Sequence, residues 1–485
     1  MSNKLLVGWS EVDITPDSLG KQIPLFGQYY ARIAKDIHSR LKAVFAAIRS
    51  GNEYFITGSI DNCMVPKQLI DLLRDETAKR IPEFDKSKLF INAIHSHSAP
   101  SLAFTAAKAE ASPSHTSTVL TANEYAAFAV PLMVDAIVQA WENRAPGGIA
   151  TAFGSARIGH CRRAVYSDGT AEMYGDTTRS DFIGLEAGED TGIEMLFTVD
   201  AEGRKTGMFL NVACPSQNME STYSVSSDFA GAAREMLKGA YGENFRTIYQ
   251  ISPAGCQSPR DLVRHYTTEP DFWHADGVEV LAKRLYTAVT TAELSEIDYA
   301  PVLTSRNVEV VLPRRRASYM DYKAAQAELA RLTAIMDEKS AFAAFEAEIH
   351  ANEAIDGPGP YDSKLHHYVL IKNAQAVIAR YENQDANPNF IFDMNVIRLG
   401  NIAMANNPFE LYLYYGQNIK ARSRAFQTFL VQLSGNGNFY AGYLPSPDAE
   451  KFGGYGGLII NGQVGSDGGY KLADRTVEEI NKLFE

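Results

Sequence analysis

The sequence predicts an α/β fold whose core is a mixed, largely parallel sheet flanked by helices, with an inserted helical hairpin. Three observations predict it. Apolar runs of strand length alternate with helical patterns through the first half of the chain, and residues 54–94 have the pattern of a strand, a helix and a second strand. Between residues 318 and 385 the pattern changes to Ala-, Glu- and Lys-rich helices. A strand–helix–strand unit joins parallel neighbours, and functional groups collect at their carboxyl ends.

Chain length, net charge and cysteine content bear on the number of domains, on nucleic-acid binding and on the redox state of the cysteines. The 485 residues exceed the size at which one hydrophobic core usually stops growing, so one large domain with insertions, or two domains, is expected. The formal net charge of −12, from 46 Lys and Arg against 58 Asp and Glu, argues against nucleic-acid binding, which needs a basic surface. Four widely spaced cysteines without a Cys-x-x-Cys pair predict free thiols in a reducing compartment.

The N-terminal residues and the lengths of the apolar runs indicate where in the cell the protein is expected. Residues 5–9 form a short apolar stretch that is typical of a first strand and too short for a signal-peptide core. No apolar run approaches the length of a transmembrane helix. We therefore expect a cytoplasmic protein without stable membrane insertion, with a homo-oligomer as an alternative to a monomer.

The first hundred residues contain the strand–helix–strand unit. Apolar runs at 43–48 and 54–60 predict two buried strands, a helix is predicted from 65 to about 80, and residues 89–93 predict the next strand. Pro at an early helical position is tolerated, which supports the helix. The two strands that flank this helix are expected to pair in parallel.

Two histidines directly follow the strand at 89–93. Because side chains alternate along a strand, His95 and His97 are predicted to project to the same side at the strand end, where they suit a metal or a reacting group. Pro100 fits a turn at the rim of the sheet. The alternative interpretation is two surface histidines in a loop.

Residues 122–260 continue the alternation of predicted strands and helices. Two of the loops between these elements carry polar side chains. Arg162 and Arg163 form either a solvated turn or a clamp for an anion or carbonyl, since guanidinium suits bidentate recognition. Ser258 lies in a small-residue turn after a strand, which is either an ordinary turn or a way to expose a nucleophile. The predicted helices are 122–144 and 231–237, and the predicted strands are 150–154, 206–214 with a partner beginning near 193, and 247–251.

The rest of the chain gives three helical segments and then strands. The helices are predicted at 322–336, 341–355 and 365–381, the last two separated by the breaker loop 356–360, and His350, His366 and His367 among them are interpreted as surface or packing residues. Strands at 390–399 and 402–405 follow. Glu410 is placed near the start of a helix that runs to about residue 422, where the dipole stabilises a carboxylate. Tyr443 and Tyr455 lie in Gly- and Tyr-rich loops of the kind that often line sites.

Six motifs occur in the same order as in one known family. Through them the chain resembles the catalytic domain of neutral/alkaline non-lysosomal ceramidases over nearly its whole length, which implies a single catalytic domain over 1–485 with the helical insertion at 318–385. The motifs are 7–16 (Val-Gly-Trp-Ser-Glu-Val-Asp-Ile-Thr-Pro), 37–41 (Ile-His-Ser-Arg-Leu), 95–100 (His-Ser-His-Ser-Ala-Pro), 255–259 (Gly-Cys-Gln-Ser-Pro), 408–410 (Pro-Phe-Glu) and 440–443 (Tyr-Ala-Gly-Tyr).

The resemblance implies a zinc amidase that splits an N-acyl bond with an active-site serine beside the metal. In such a site the metal polarises the amide carbonyl or activates an oxygen nucleophile, and His and Tyr donors stabilise the oxyanion. The zinc ligands that the resemblance implies are His95, Glu410 and Tyr443. The catalytic residues that it implies are His97, Ser258, Arg162 or Arg163, and Tyr455.

The chain departs from the family at two site positions. The family has a second zinc-binding histidine where this chain has Pro215, and proline cannot bind a metal. Either Cys214 replaces it, since thiolate binds zinc well, or Asp228, His160 or another residue supplies the ligand, or the site has lost its metal. The aspartate of the family's serine motif is Cys256 here.

These observations predict a ceramidase-like, metal-dependent hydrolase acting on C–N bonds. It would cleave an amide (N-acyl) or related bond of a small polar substrate, such as a sugar or amino-sugar derivative, with zinc as the cofactor. Two alternatives remain: a lyase or isomerase acting on a carbohydrate with the same metal and donors, and a non-catalytic binding protein on an enzyme fold that has lost its activity.

Overall fold

Two β-sheets with helices on their outer faces form the structure, a computed structural model that describes residues 4–28, 32–104, 118–263, 273–354, 366–434 and 441–485. The strands of these residues are β1 (Leu5–Asp13), β2 (Pro24–Leu25), β3 (Arg32–Ile33), β4 (Asp36–Ile37), β5 (Lys42–Ser50), β6 (Glu53–Ile60), β7 (Leu89–Ala93), β8 (Ala145–Ser155), β9 (His160–Cys161), β10 (Arg163–Tyr166), β11 (Ala171–Met173), β12 (Phe182–Leu185), β13 (Gly192–Asp200), β14 (Lys205–Val212), β15 (Ser224–Val225), β16 (Arg246–Ile251), β17 (Gln257–Ser258), β18 (Leu303–Pro313), β19 (Asn389–Leu399), β20 (Ile402–Asn406), β21 (Glu410–Leu411), β22 (Gln427–Val431) and β23 (Tyr443–Leu444). The α-helices are α1 (Lys67–Ala78), α2 (Ala122–Glu142), α3 (Asp228–Tyr241), α4 (His274–Thr290), α5 (Tyr319–Ile335), α6 (Glu338–Ala354), α7 (His367–Asn383), α8 (Leu413–Arg422), α9 (Pro447–Phe452) and α10 (Ser466–Lys482).

The larger sheet has eight strands in the order β16-β14-β13-β8-β1-β5-β6-β7. Its two edge pairs, β14 with β16 and β6 with β7, are parallel, and the pairs between them are antiparallel. The mixed α/β class is confirmed, as is the parallel pair of the strand–helix–strand unit. Parallel pairing is nevertheless less extensive than the sequence predicts. Tight turns at Gly51 and Gly203, both with positive φ, join neighbouring strands directly, and such turns allow only antiparallel pairing.

A second sheet of four strands, β18-β19-β20-β22, packs face to face against the larger one. The contact is a buried apolar cluster to which both sheets contribute. It includes Val44, Ile48, Phe55, Phe90 and Phe209 from the larger sheet, and Ile397, Leu399, Met404 and Phe429 from the second. Helices α1 to α4 cover the outer face of the larger sheet, and α8 and α10 cover the second. The layers are therefore helix, sheet, sheet, helix.

The helical insertion lies between two adjacent strands of the second sheet. β18 and β19 pair antiparallel along their whole length, from Leu303 opposite Leu399 to Pro313 opposite Asn389, and helices α5, α6 and α7 come between them in the chain. The three helical segments that the sequence predicts here are present as α5, α6 and α7, and α5 packs mainly against α7. The breaker loop at 356–360 lies outside the described residues. Within the part of the chain that is described, no helix has the length and apolarity to span a bilayer.

Candidate active site

The parallel pairing of β6 with β7 positions the candidate site. Ile60 and Ala93, the last residues of these strands, are register partners, so the segments that follow them leave the same edge of the sheet. Asn62 joins the two segments, because its carbonyl oxygen accepts the backbone N–H of Ser96 at 3.1 Å. Cys63 and the histidine segment therefore come side by side.

The backbone turns at His95. Its φ of +63° lies in the left-handed region, which costs a non-glycine residue about 1–2 kcal/mol. Because β7 ends at Ala93, His95 and His97 do not sit on a continuing strand, and the expectation that strand alternation brings them together is wrong. The two rings converge across this turn, with their centroids 4.7 Å apart. Strain of this kind persists only where the surrounding structure holds it, and it is common at functional sites.

Cys63, His95 and His97 form a buried group that could hold a metal ion, with their candidate ligand atoms all within 4.8 Å of one another. The Nε2 atoms of the two histidines are 3.2 Å apart, and the Sγ of Cys63 is 3.8 Å from Nδ1 of His95. That Nδ1 atom is also 2.6 Å from the carbonyl oxygen of Cys63. A hydrogen bond to a backbone carbonyl fixes the orientation of a ligating imidazole and leaves its Nε2 for the metal.

Glu410 and Tyr443 reach the histidines from the C-terminal part of the chain. β21 pairs in parallel with β23, and the register places Glu410 opposite Tyr443. The Oε2 atom of Glu410 lies 3.6 Å from Nε2 of His95. Glu410 lies three residues before α8, which begins at Leu413, so it is near a helix start as expected, but it belongs to this short strand. Backbone pairing, rather than a helix dipole, positions the carboxylate.

Arg162 connects Glu410 and Tyr443 to the polar side chains of Tyr174 and Gln217. Its side chain is 2% exposed, and its Nη2 lies 3.3 Å from the hydroxyl of Tyr443 and 3.6 Å from Oε2 of Glu410. Its Nη1 donates to the hydroxyl of Tyr174 at 3.2 Å and to Oε1 of Gln217 at 3.3 Å. The interpretation as a solvated turn is therefore wrong for this arginine, which presents a fixed, buried positive charge to the site.

The polar segment after β14 supplies two further contacts to His97. Nε2 of Gln217 lies 3.0 Å from Nε2 of His97, and Oε2 of Glu220 lies 3.2 Å from its Nδ1. Burial opposes a negative charge on Glu220, but His97 and then Arg162 outweigh it and lower the pKa of the carboxyl. Glu220 is therefore a buried carboxylate aimed at one edge of the His97 ring.

The charges of Cys63 and His97 depend on each other. Burial opposes ionisation of Cys63, but the positive charges of His97 and His95 outweigh it and lower the pKa of the thiol to about 6. Burial likewise opposes a charge on His97, but Cys63 and then Glu220 raise the pKa of its imidazole. A thiol that deprotonates readily is what metal binding requires.

Ser258 is connected to Glu220, and so to His97, through one side chain, that of Tyr174. It is buried in the short β9–β17 pair, opposite His160, and its Oγ accepts the backbone N–H of Arg260 at 3.0 Å. The hydroxyl of Tyr174 donates to Oε1 of Glu220 at 3.3 Å and also interacts with Ser258. Burial and the charge of Glu220 raise the pKa of this tyrosine, which keeps it a neutral hydrogen-bonding group.

Arg163 faces away from Arg162 and holds the loop that carries Tyr455. Its Nε pairs with Glu186 at 2.6 Å, and its two Nη atoms donate to the carbonyls of Gly453 and Tyr455, each at 2.6 Å. The ring of Tyr455 packs edge-on against that of Tyr443, with centroids 5.6 Å apart. The arginine thus acts on the site through the loop, and Tyr455 lies at its half-buried rim.

Two solved structures share this architecture. A ceramidase complexed with C2 matches with a TM-score of 0.65 at 15% identity, and the match covers 98% of this chain and 74% of the other. The neutral ceramidase from Pseudomonas aeruginosa matches with a TM-score of 0.64 at 16% identity and the same coverage. The chain has the neutral ceramidase fold. No model of a known protein family matches the sequence, and no curated protein matches it. At these identities the fold is confirmed, and function depends on the site itself.

Within this ceramidase fold, Cys214 occupies a different environment from the histidines. Its Sγ lies 3.6 Å from the carbonyl oxygen of Ile158 and 3.4 Å from that of Pro215, and it packs in an apolar cluster. Burial, and then the charge of Asp228, raise its pKa well above the usual value. The thiol proton is therefore held on the sulfur. Of the other two alternatives, His160 pairs with Glu189, 3.0 Å from its Nδ1, and not with the histidine cluster.

Asp228 supports the site through the backbone. At φ +55°, it accepts the N–H of Met219 at 2.8 Å on Oδ2 and the N–H of Phe229 on Oδ1. These bonds hold the segment that carries Gln217 and Glu220. The carboxylate is thus occupied by backbone donors and positions the residues that meet His97.

Sequence reasoning missed four residues of the site, namely Cys63, Tyr174, Gln217 and Glu220. One signal could have found Cys63: it comes three residues after a predicted strand, on the neighbour of the strand before His95, so parallel pairing would place both at the same edge. Gln217 and Glu220 lie in a polar segment after β14 that the sequence shows but does not orient.

Proposed function

We propose that this chain is a metal-dependent hydrolase that cleaves an amide (N-acyl) or related bond of a small polar substrate. One observation carries the proposal: His95, His97, Glu410, Tyr443 and Arg162 converge in one buried group on a ceramidase fold. Five polar side chains are costly to bury together unless they serve each other or a ligand. A fold alone does not fix a reaction, so the argument depends on the chemistry of these groups.

The donor set fits a divalent metal. Around a tetrahedral zinc with metal–ligand distances of about 2.0–2.2 Å, neighbouring N or O ligand atoms lie about 3.3–3.6 Å apart. The Nε2 of His95 lies 3.6 Å from Oε2 of Glu410, which is the separation expected for two ligand atoms on one such ion. With its Nδ1 on a backbone carbonyl, His95 keeps Nε2 for a metal. When bound, the metal would supply Lewis acidity toward an amide carbonyl.

His97 and Glu220 are the proposed proton-handling pair. When His97 carries a single proton, on the Nδ1 that faces the Glu220 carboxylate, the lone pair of its Nε2 is directed toward the cluster. The carboxylate stabilises positive charge on the ring when Nε2 takes up a proton, as a general base requires. Gln217, on the same edge as Nε2, restricts the ring's rotation.

Arg162 and Tyr443 are the proposed oxyanion stabilisers. A fixed guanidinium and a phenolic O–H, 3.3 Å apart in a water-poor site, strongly favour a negative charge that develops beside them. Ser258 is the proposed active-site serine, connected to Arg162 and Glu220 through the hydroxyl of Tyr174.

The walls of the site favour a polar substrate. Gln217 and Glu220 are buried against His97, and Arg162 is buried against Gln217. An alkyl chain placed against them would cover charged groups without replacing their hydrogen bonds, which is unfavourable. A hydrophilic N-acyl compound, such as an acylated amino sugar, can donate and accept in their place.

The test is a hydrolysis screen of the zinc-loaded full chain in H₂¹⁸O. The panel contains N-acetylated amino sugars, N-acyl amino acids and a short-chain ceramide. We expect release of a carboxylic acid carrying one ¹⁸O atom from a polar member, and loss of that activity in His97→Ala, Ser258→Ala and Tyr443→Phe.

Two results would defeat the proposal. One is conversion of a sugar without uptake of solvent oxygen, which indicates lyase or isomerase chemistry. The other is hydrolysis that survives all three substitutions, because the activity would then arise elsewhere or from a contaminant. Hydrolysis that persists after the metal is removed with a chelator, and does not rise on its return, would remove the metal from the proposal.

A further inference from the structure

The chain offers two cysteines near the position where Pro215 leaves the site one ligand short, and their surroundings differ. Cys63 is 3% exposed and lies at the same edge of the sheet as the histidines, with Sγ 3.8 Å from His95 Nδ1. Cys214 is fully buried in an apolar cluster, with its sulfur against two backbone carbonyls. Only one of the two thiols therefore faces imidazole nitrogens.

The backbone holds Cys63 in that place. Its N–H donates to the side-chain oxygen of Asn62 at 2.9 Å, and the amide nitrogen of Asn62 donates to the carbonyl of Pro100 at 2.8 Å. The two ends of the histidine segment are thereby tied to the residue before Cys63, at Ser96 and at Pro100. A side chain held by its neighbours to this degree is preorganised, as metal ligands usually are.

We propose that Cys63 is a thiolate ligand of the metal, beside His95, and supplies the ligand that Pro215 cannot. The inference rests on the proposed metal-dependent function and deepens it. Binding breaks the S–H bond, releases the proton to solvent and forms a metal–sulfur bond. A thiolate is a soft ligand, so the site favours zinc or cobalt over magnesium, calcium or manganese. The sulfur also donates electron density, which makes the metal a milder Lewis acid than an all-nitrogen and oxygen set would.

The test uses Co²⁺ as a spectroscopic substitute for zinc in the full chain. A thiolate bound to Co²⁺ gives a charge-transfer absorption band in the near ultraviolet, and a four-coordinate ion gives intense visible bands. We expect both in the wild type, saturating at one Co²⁺ per chain. Cys63→Ser removes the near-ultraviolet band and weakens Co²⁺ binding roughly 10- to 100-fold or more. Cys214→Ser, the matched control, keeps the band.

The outcomes separate this inference from the proposed function. A near-ultraviolet band that remains in Cys63→Ser, or that disappears in Cys214→Ser, overturns the inference whether or not the protein hydrolyses a substrate. A band lost only in Cys63→Ser supports it even if no substrate in the panel is cleaved. Wild-type protein that takes up no Co²⁺ and no Zn²⁺ overturns it as well. Far-ultraviolet circular dichroism and thermal unfolding of both variants show that each is folded before its spectrum is compared.

Discussion

Glu410 and Tyr443 stand directly opposite each other in a two-residue parallel strand pair, held by a hydrogen bond from the Glu410 N–H to the Gly442 carbonyl at 3.0 Å. Register partners in a parallel pair project to the same side, so the carboxylate and the phenol leave the backbone together. Because the backbone fixes both, replacing one side chain leaves the other in place. Substitutions here therefore test chemistry rather than folding.

Tyr443→Phe is expected to lower kcat/KM roughly 10²-fold with little change in the free energy of unfolding, since it removes only the hydroxyl beside Arg162. Tyr412→Phe is the matched control. Tyr412 packs against Tyr443, and its buried hydroxyl has no hydrogen-bond partner among the described residues, so its removal should leave activity unchanged and stability equal or higher. Steady-state kinetics and urea unfolding measure both. Equal activities in the two variants would contradict a role for the Tyr443 hydroxyl.

Gly27→Ala is expected to displace His97. At Gly27, φ is +117°, and an added Cβ would lie 2.5 Å from Cγ of the His97 ring, which must move. A displacement of about 1 Å at a catalytic group can cost roughly 10²-fold in rate. Gly20→Ala is the control, because φ there is +64° but nothing lies within 4 Å of an added Cβ. Gly20→Ala should lose about 1–2 kcal/mol of stability. Gly27→Ala should lose more, because its added Cβ also overlaps the ring, and only this variant should lose activity. Full activity in Gly27→Ala would show that the ring position is not critical.

Arg162→Lys and Arg163→Lys separate the two neighbouring arginines. Each substitution keeps the positive charge at its position and removes the planar guanidinium group with its forked hydrogen-bond donors. For Arg162 the fork contacts Tyr443, Tyr174 and Gln217, so we expect a large loss of kcat/KM together with a fall in stability of about 1–3 kcal/mol. For Arg163 the lost bonds hold the loop at 453–455, so stability should fall by about 1–3 kcal/mol, with a smaller effect on kcat. The reverse pattern, from kinetics and thermal unfolding, would exchange their assigned roles.

Glu189→Gln is expected to destabilise the protein in a pH-dependent way. Although burial opposes its charge, hydrogen bonds from His160 and Arg157 lower the pKa of Glu189 to about 2. The folded-state pKa lies below the unfolded one, so this stabilisation is fully present above pH 4.5 and is lost as pH falls toward 2. Partial solvent exposure reduces the gain to about 1–2 kcal/mol at pH 7.

Melting temperatures between pH 7 and pH 3 check this effect of Glu189. The gap between wild type and Glu189→Gln should narrow to less than half across that range. Glu202→Gln, which removes an exposed carboxylate paired with Arg204, should show almost no gap at any pH. A gap for Glu189→Gln that widens as pH falls would have the wrong sign for a carboxyl with a lowered pKa.

Much of the fold follows from local pattern. The strands predicted at 43–48, 54–60 and 89–93 and the helix predicted at 122–144 are confirmed, because buried strands and a long helix have recognisable patterns of apolar residues. The sheet-on-sheet packing was not predicted. It depends on which faces of distant strands meet, and apolar runs alone do not specify this.

The site was predictable only in part, for the same reason. His95 and His97 are only two residues apart in the sequence, and Glu410 and Tyr443 were recognised through family motifs. Cys63 was missed because its proximity to His95 depends on the pairing of β6 with β7, across a helix of 12 residues. Cys214 was favoured because it neighbours Pro215 in sequence, whereas its sulfur packs in the core.

The distances along the chain between Cys63, His95, Glu220 and Glu410 have a consequence for biosynthesis. Each comes from a different segment, and the last to leave the ribosome is the β21–β23 pair, more than 300 residues after the histidines. In a nascent chain, His95 and His97 are synthesised long before Glu410 and Tyr443. Contacts between residues so far apart in the sequence form late in folding. A metal held by Glu410 as well as by Cys63 and His95 would therefore be acquired only after the β21–β23 pair has been synthesised.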